Sequence, residues 1–74
     1  MGGTARYYQI RVEEPLEDCW REWFRGLEIQ RCPNEDGTGM QTLLCGTLPD
    51  QAALFGVLAV IRDLNLTLLA VARQ

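Results

Sequence analysis

Apolar and polar residues alternate at the start of the chain. Tyr8, Ile10 and Val12 interleave with Gln9, Arg11 and Glu13 over residues 7–13, and a period of two with β-branched and aromatic members predicts a half-buried strand. The period then lengthens. Leu16, Cys19, Trp20, Trp23 and Phe24 fall at i, i+3, i+4, i+7 and i+8, one stripe on an α-helix, with Arg21, Glu22 and Arg25 on the other side. Pro15 suits a first helical turn, Glu17 and Asp18 suit the positive end of its dipole, and Gly26 suits a left-handed C′ position. The spacing predicts a helix from about Leu16 to Arg25 whose stripe is core.

Leu27 and Ile29 alternate with Glu28 and Gln30 in a second strand, 27–32. Residues 33–39, Pro-Asn-Glu-Asp-Gly-Thr-Gly, are turn chemistry. A third strand follows, Met40 to Leu48. Asp50 is an N-cap type after Pro49. Leu54, Val57, Leu58, Ile61 and Leu64 then recur at helical spacing, Asn65 suits the left-handed C′ position, and Leu66 to Arg73 reads as a closing strand. The order is β-α-β-β-α-β. Right-handed crossovers place two helices on one face of a four-stranded antiparallel sheet with the first and third strands central. This is an α+β, ferredoxin-like sandwich over residues 7–74, preceded by a flexible leader over residues 1–6.

The other face of that sheet has no helix to cover it. Neighbouring strand residues point to opposite faces, so one of the adjacent Leu43 and Leu44 leaves the core, and the pattern leaves open which. Tyr7 beside Tyr8, and Leu69 with Val71, add apolar surface, and Phe55 and Val60 lie off the main stripe of the last helix. A contiguous apolar patch marks an interface. The interface candidates are Tyr7, Leu43, Leu69, Val71 and Phe55. Gln9, Arg11 and Thr42 are the polar candidates for a ligand on or near the open face.

Composition narrows the function classes. A chain of 74 residues holds one domain and buries only about 60% of its unfolded surface, so self-association would help it. The net charge is −3, with ten acidic and seven basic residues and no basic run, which disfavours nucleic acid and anionic membranes as partners. The longest apolar stretch, Leu54 to Ile61, is too short to span a bilayer, and the first residues hold no apolar signal region. An odd number of cysteines without a secretory signal fits free thiols in the cytoplasm.

No histidine is present, so Ser-His and Cys-His catalysis and His-ligated metals are excluded. Cys19, Cys32 and Cys45 form no C-x-x-C pair of the kind a structural metal wants. Cys19 sits on the helical stripe as a small hydrophobe. Cys32 and Cys45, on the hairpin strands, are either a cross-strand disulfide or, as a cytoplasm favours, reduced. Glu13, Glu14, Glu17 and Asp18 cluster where a helix dipole explains them without acid–base chemistry. Asn34-Glu35-Asp36-Gly37 lacks the spacing of a calcium loop. No catalytic, cofactor or metal residue is expected, and the chain is expected not to be an enzyme.

Two segments carry a resemblance. Trp20-Arg21-Glu22-Trp23-Phe24-Arg25-Gly26-Leu27, and Asp50-Gln51-Ala52-Ala53-Leu54-Phe55-Gly56 continuing to Ile61-Arg62-Asp63-Leu64, resemble a family of short bacterial proteins of unknown function. Its members often have histidine where Phe55 stands and glycine where Asn65 stands. The resemblance implies a fold and no activity. The expected function is a small cytoplasmic interaction or regulatory domain, a homodimer or partner-binding protein joined through the open sheet face or an edge strand. The alternative is a small-molecule sensor, ACT-like by analogy of fold, with its ligand at the dimer seam.

Overall fold

The computed structural model describes residues 5–74. The leader expected over 1–6 falls largely outside the described residues, and Arg6 already belongs to the first strand. The elements are β1 (Arg6–Val12), a 3-10 helix (Asp18–Phe24), β2 (Glu28–Pro33), β3 (Met40–Leu48), α1 (Gln51–Asp63) and β4 (Leu68–Arg73). The strands form one sheet in the order β2-β3-β1-β4, and every neighbouring pair is antiparallel. One buried cluster joins Tyr8, Ile10 and Val12 of β1, Leu44 and Leu48 of β3, Ile29 of β2, Phe24 of the 3-10 helix, and Ala53, Leu54, Val57 and Ile61 of α1. Between Leu43 and Leu44, it is Leu44 that faces this core.

The first helix differs from the α-helix that the spacing predicts. Between the ends of β1 and β2 lie fifteen residues, 13–27, and those before Asp18 turn the corner. Seven residues are helical, wound as a 3-10 helix. In 3-10 form they span about 14 Å, against about 10 Å as an α-helix. The tighter winding also breaks the expected stripe, because i and i+3 eclipse in a 3-10 helix. Phe24 and Leu16 are buried and Trp20 is half-buried. Cys19 and Trp23, expected in the core, are exposed, Trp23 at 58%. Trp20 and Trp23, three apart, lie side by side with ring centroids 5.8 Å apart and planes tilted by 57°.

The approach to that helix is held by a cross-strand pair. Arg31 of β2 and Thr42 of β3 are register partners and together grip the backbone of Leu16. Its N–H donates to Thr42 Oγ1 at 2.8 Å, and its carbonyl accepts from Arg31 Nη1 at 2.7 Å. The same Arg31 nitrogen also reaches Asp18 at 3.1 Å, and Thr42 Oγ1 donates to the Glu14 carbonyl at 2.7 Å. The Glu14 carboxylate turns outward and accepts from Thr67 N–H at 2.8 Å and Thr67 Oγ1 at 2.9 Å. Glu13 N–H donates back to the Thr67 carbonyl. The corner after β1 is thus tied to the centre of the sheet and to the entry of β4.

Local signals at α1 act as the residue types require. Asp50 caps it, with its side chain accepting from Ala53 N–H at 2.9 Å. Asn65 closes it at φ 59°: Asn65 N–H bonds to the Arg62 carbonyl and Leu66 N–H to that of Ile61, the paired hydrogen bonds of a Schellman motif. Leu66 folds back onto the core cluster. The end of the 3-10 helix touches α1 through Arg25, itself at φ 58°. Its guanidinium lies across Gly56, where a Cβ would sit 2.8 Å from Nη2.

Three outcomes follow for denaturant unfolding. Phe24→Ala should cost about 3–5 kcal/mol and leave so small a domain largely unfolded. Trp23→Ala should cost less than about 1.5 kcal/mol, the worth of one aromatic pair; a loss as large as that at Phe24 would place Trp23 in the core. Thr42→Val, which strips the partners from Leu16 N–H and the Glu14 carbonyl, should cost about 1–3 kcal/mol.

The Glu14 clasp makes stability depend on pH. Hydrogen bonding from the Thr67 backbone N–H, more than from its hydroxyl, holds the Glu14 carboxyl below the ordinary value of 4.5 despite some desolvation. A depressed carboxyl stabilises the fold above the ordinary value and loses that contribution as pH falls through the folded-state one. Wild type should therefore exceed Glu14→Gln in stability at neutral pH, with the gap closing below about pH 4.5. Denaturant midpoints at several pH values check this, and a gap that stays constant into acid would remove the clasp as its source.

Candidate functional site

The register sorts side chains between the two faces. Tyr8, Ile10 and Val12 of β1 and Thr42, Leu44 and Leu48 of β3 point to the core. The open face carries Tyr7, Gln9 and Arg11 from β1, Gln41, Leu43, Cys45 and Thr47 from β3, and Glu28, Gln30 and Cys32 from β2. This surface is not the apolar patch that the pattern suggests. Leu43 is half-buried between Gln30 and Arg11, its partners on either side, and glutamines and charges surround it. Tyr7 sits on this face near Cys45, whose thiol is the main cause of a Tyr7 phenol pKa above its ordinary value.

Several expected positions are corrected. Thr42 is fully buried on the core face, and its hydroxyl is spent on Leu16 and Glu14, so it cannot serve a ligand on the open face. Phe55 is 61% exposed on α1, turned away from the core cluster that α1 joins, and does not meet Tyr7 and Leu43. Val71 changes faces because β4 contains a bulge. Val12 pairs with Leu68 but Arg11 pairs with Ala70, so Leu69 is an extra residue. The slip puts Leu68 and Val71, of opposite parity, both on the core side of the sheet, and turns Ala70 and Ala72 to the open face. Cys32 pairs with Gln41 and Cys45 with Glu28. Four residues of strand, about 13 Å, separate the two thiols, so no cross-strand disulfide forms and all three cysteines are free.

Two features remain on this side of the molecule. The first is the edge strand β4. All six of its residues are exposed, including Leu68 and Leu69 at 45% and Val71 at 42%. Its inner edge pairs with β1, and among the described residues no element pairs with its outer edge. The opposite edge of the sheet is β2, whose sequence Glu-Ile-Gln-Arg-Cys-Pro carries two charges and ends in proline, features that blunt an edge.

The second is a groove of about 460 Å³ across one end of the open face. Asn34 and Glu35 of the β2–β3 turn wall it at one side, and Leu69 and Ala70 of β4 at the other. Gln41 of β3, with Arg11 and Glu13 of β1, lies between. The turn is rigidly built: Asn34 Oδ1 accepts from Thr38 and Gly39 N–H groups, and Gly37 takes φ 73°. Asp36 accepts from the Thr38 hydroxyl and then its N–H, which hold its carboxyl below the ordinary value. Of the expected polar candidates, the groove takes Arg11, while Gln9 lies beyond its lining on the same face. Gln41, Glu13, Asn34 and Glu35 are members the sequence reading missed. They come together through the curl of the hairpin and the register, and the only local signal was that Gln41 sits two residues before Leu43, on the same face.

Among the described residues no helix is long and apolar enough to cross a membrane. No curated protein and no solved structure matches the chain significantly. A family model described as a domain of unknown function, DUF8691, matches residues 7–72, nearly the whole chain and every element of the sheet, and the protein belongs to that family.

Proposed function

We propose that this chain is a small, non-enzymatic interaction domain that pairs with a second copy of itself through the outer edge of β4. The carrying observation is the contrast between the two edges of the sheet. β2 presents charges and a proline, whereas β4 reads Leu-Leu-Ala-Val-Ala-Arg and has every residue exposed. An unpaired, apolar edge is a template for another strand. The register of β4 is regular from Ala70 to Arg73, so this stretch offers its outward N–H and C=O groups in sequence.

A second copy fits this edge by charge as well as by hydrogen bonding. A two-fold axis makes the paired strands antiparallel. Arg73 at one end of β4 then approaches the partner's opposite end, where Glu13 and Glu14 lie beside Thr67. Leu68 and Val71 would be covered on the core side of the sheet. The glutamine-rich open face is the poorer candidate, because Leu43 is already half-buried there. The β-α-β-β-α-β order, with strands arranged β2-β3-β1-β4, supports a ferredoxin-like frame for this edge, with the 3-10 helix standing for the first helix. The absence of histidine supports a non-enzymatic role, and three free thiols suit a cytoplasmic setting.

Val71→Lys tests the reading, since Val71 is exposed and outside both the buried cluster and the groove. Sedimentation equilibrium of the wild-type chain should give a dimer, and the variant should dissociate at least about tenfold more readily. Its circular dichroism should be unchanged. A wild-type monomer, or a variant that associates as tightly, would remove β4 from the role proposed.

A further inference from the structure

We infer that the groove between the hairpin turn and β4 binds a free α-amino acid with an apolar side chain, held as its zwitterion. The argument begins with Gln41. Its side chain is more than nine-tenths buried, and its only protein hydrogen bond is a long one from Nε2 to Cys32 Sγ, 3.9 Å. Among the described residues Oε1 accepts nothing from the protein and is not itself sealed from solvent, and Gln41 lines the groove. A carboxamide oxygen free of protein partners at a cavity wall can accept from a donor that enters in place of water.

The remaining lining divides by chemistry. Arg11 is the single cation of the groove and forms no ion pair among the described residues. Its fork of donors matches a carboxylate. Glu13, one step beyond the Val12–Thr42 pair and so opposite Gln41, and Glu35 across the groove supply acceptors and negative charge for an ammonium. Leu69, the extra residue of the bulge, and Ala70 provide an apolar wall. A ligand that satisfies all of these carries an anionic group, an adjacent ammonium and a hydrocarbon side chain. A volume of about 460 Å³ lies in the range of small-molecule sites. A plain carboxylate would leave both glutamates facing only solvent, and a plain amine would leave Arg11 so.

The groove is built within one chain, so it does not rest on pairing through β4. The test is an NMR titration of the full chain with L-leucine and with L-alanine, beside L-leucine methyl ester and isocaproate, which lack the carboxylate and the ammonium respectively. Saturable shifts in the millimolar range or tighter at Arg11, Gln41 and Leu69 amides are expected for an amino acid. The two analogues, and Arg11→Met and Gln41→Leu with any amino acid that binds, should each bind at least about tenfold more weakly. Both variants should keep a dispersed spectrum. The Val71→Lys chain should bind as wild type does, which separates this inference from the association of copies. No saturable shift with either amino acid, equal binding of the analogues, or shifts that survive both substitutions would overturn it, as would binding lost in Val71→Lys.

Discussion

The backbone of Leu16 is held at both poles by two side chains that face each other across β2 and β3. Its N–H goes to Thr42 and its carbonyl to Arg31, and the two holders are register partners. Much of the remaining architecture depends on this grip. It ties the corner after β1 to the two strands that follow in the sheet. The helix that follows this corner is wound as a 3-10 helix. The 3-10 winding in turn sends Phe24 into the core and Trp23 out of it. Because the Thr42 hydroxyl also binds Glu14, whose carboxylate holds Thr67, a single buried hydroxyl coordinates the corner with the start of the last strand.

What could be read in the sequence was what short-range chemistry decides. The limits of β3, the Asp50 cap and the left-handed Asn65 all follow from residue types acting within a few positions of themselves. What could not be read was set by partners distant in the chain. The stripe from Leu16 to Phe24 fits a period of 3.6, yet Asp18–Phe24 winds as a 3-10 helix. Thr42 was assigned to the open face because adjacent Leu43 and Leu44 left the parity of β3 undecided. Val71 was assigned there because a bulge leaves no mark in an alternation of Leu, Ala and Val. The groove drew Arg11 from the reading of β1, but its other polar members gather from the hairpin turn and β3.

Arg25 and Gly56 give a physical meaning to two of the segments singled out in the sequence. The Trp-Phe-Arg-Gly-Leu run ends in consecutive left-handed residues, Arg25 and Gly26, which throw the Arg25 side chain over α1. The glycine that follows Leu54 and Phe55 leaves room for it. A Cβ at position 56 would meet the tip of the Arg25 side chain, which could swing aside, so the contact links two segments thirty-one positions apart without locking them together.

The asymmetry of the sheet edges bears on stoichiometry. A sheet with two receptive margins can accept a neighbour on each side, and such additions propagate without limit into a fibril. Here Pro33 and the charges of β2 disfavour pairing at one margin, so under the proposed pairing growth in the hydrogen-bonding direction would halt once the other is taken. On the pairing proposed through β4, a continuous sheet would hold no more than two copies.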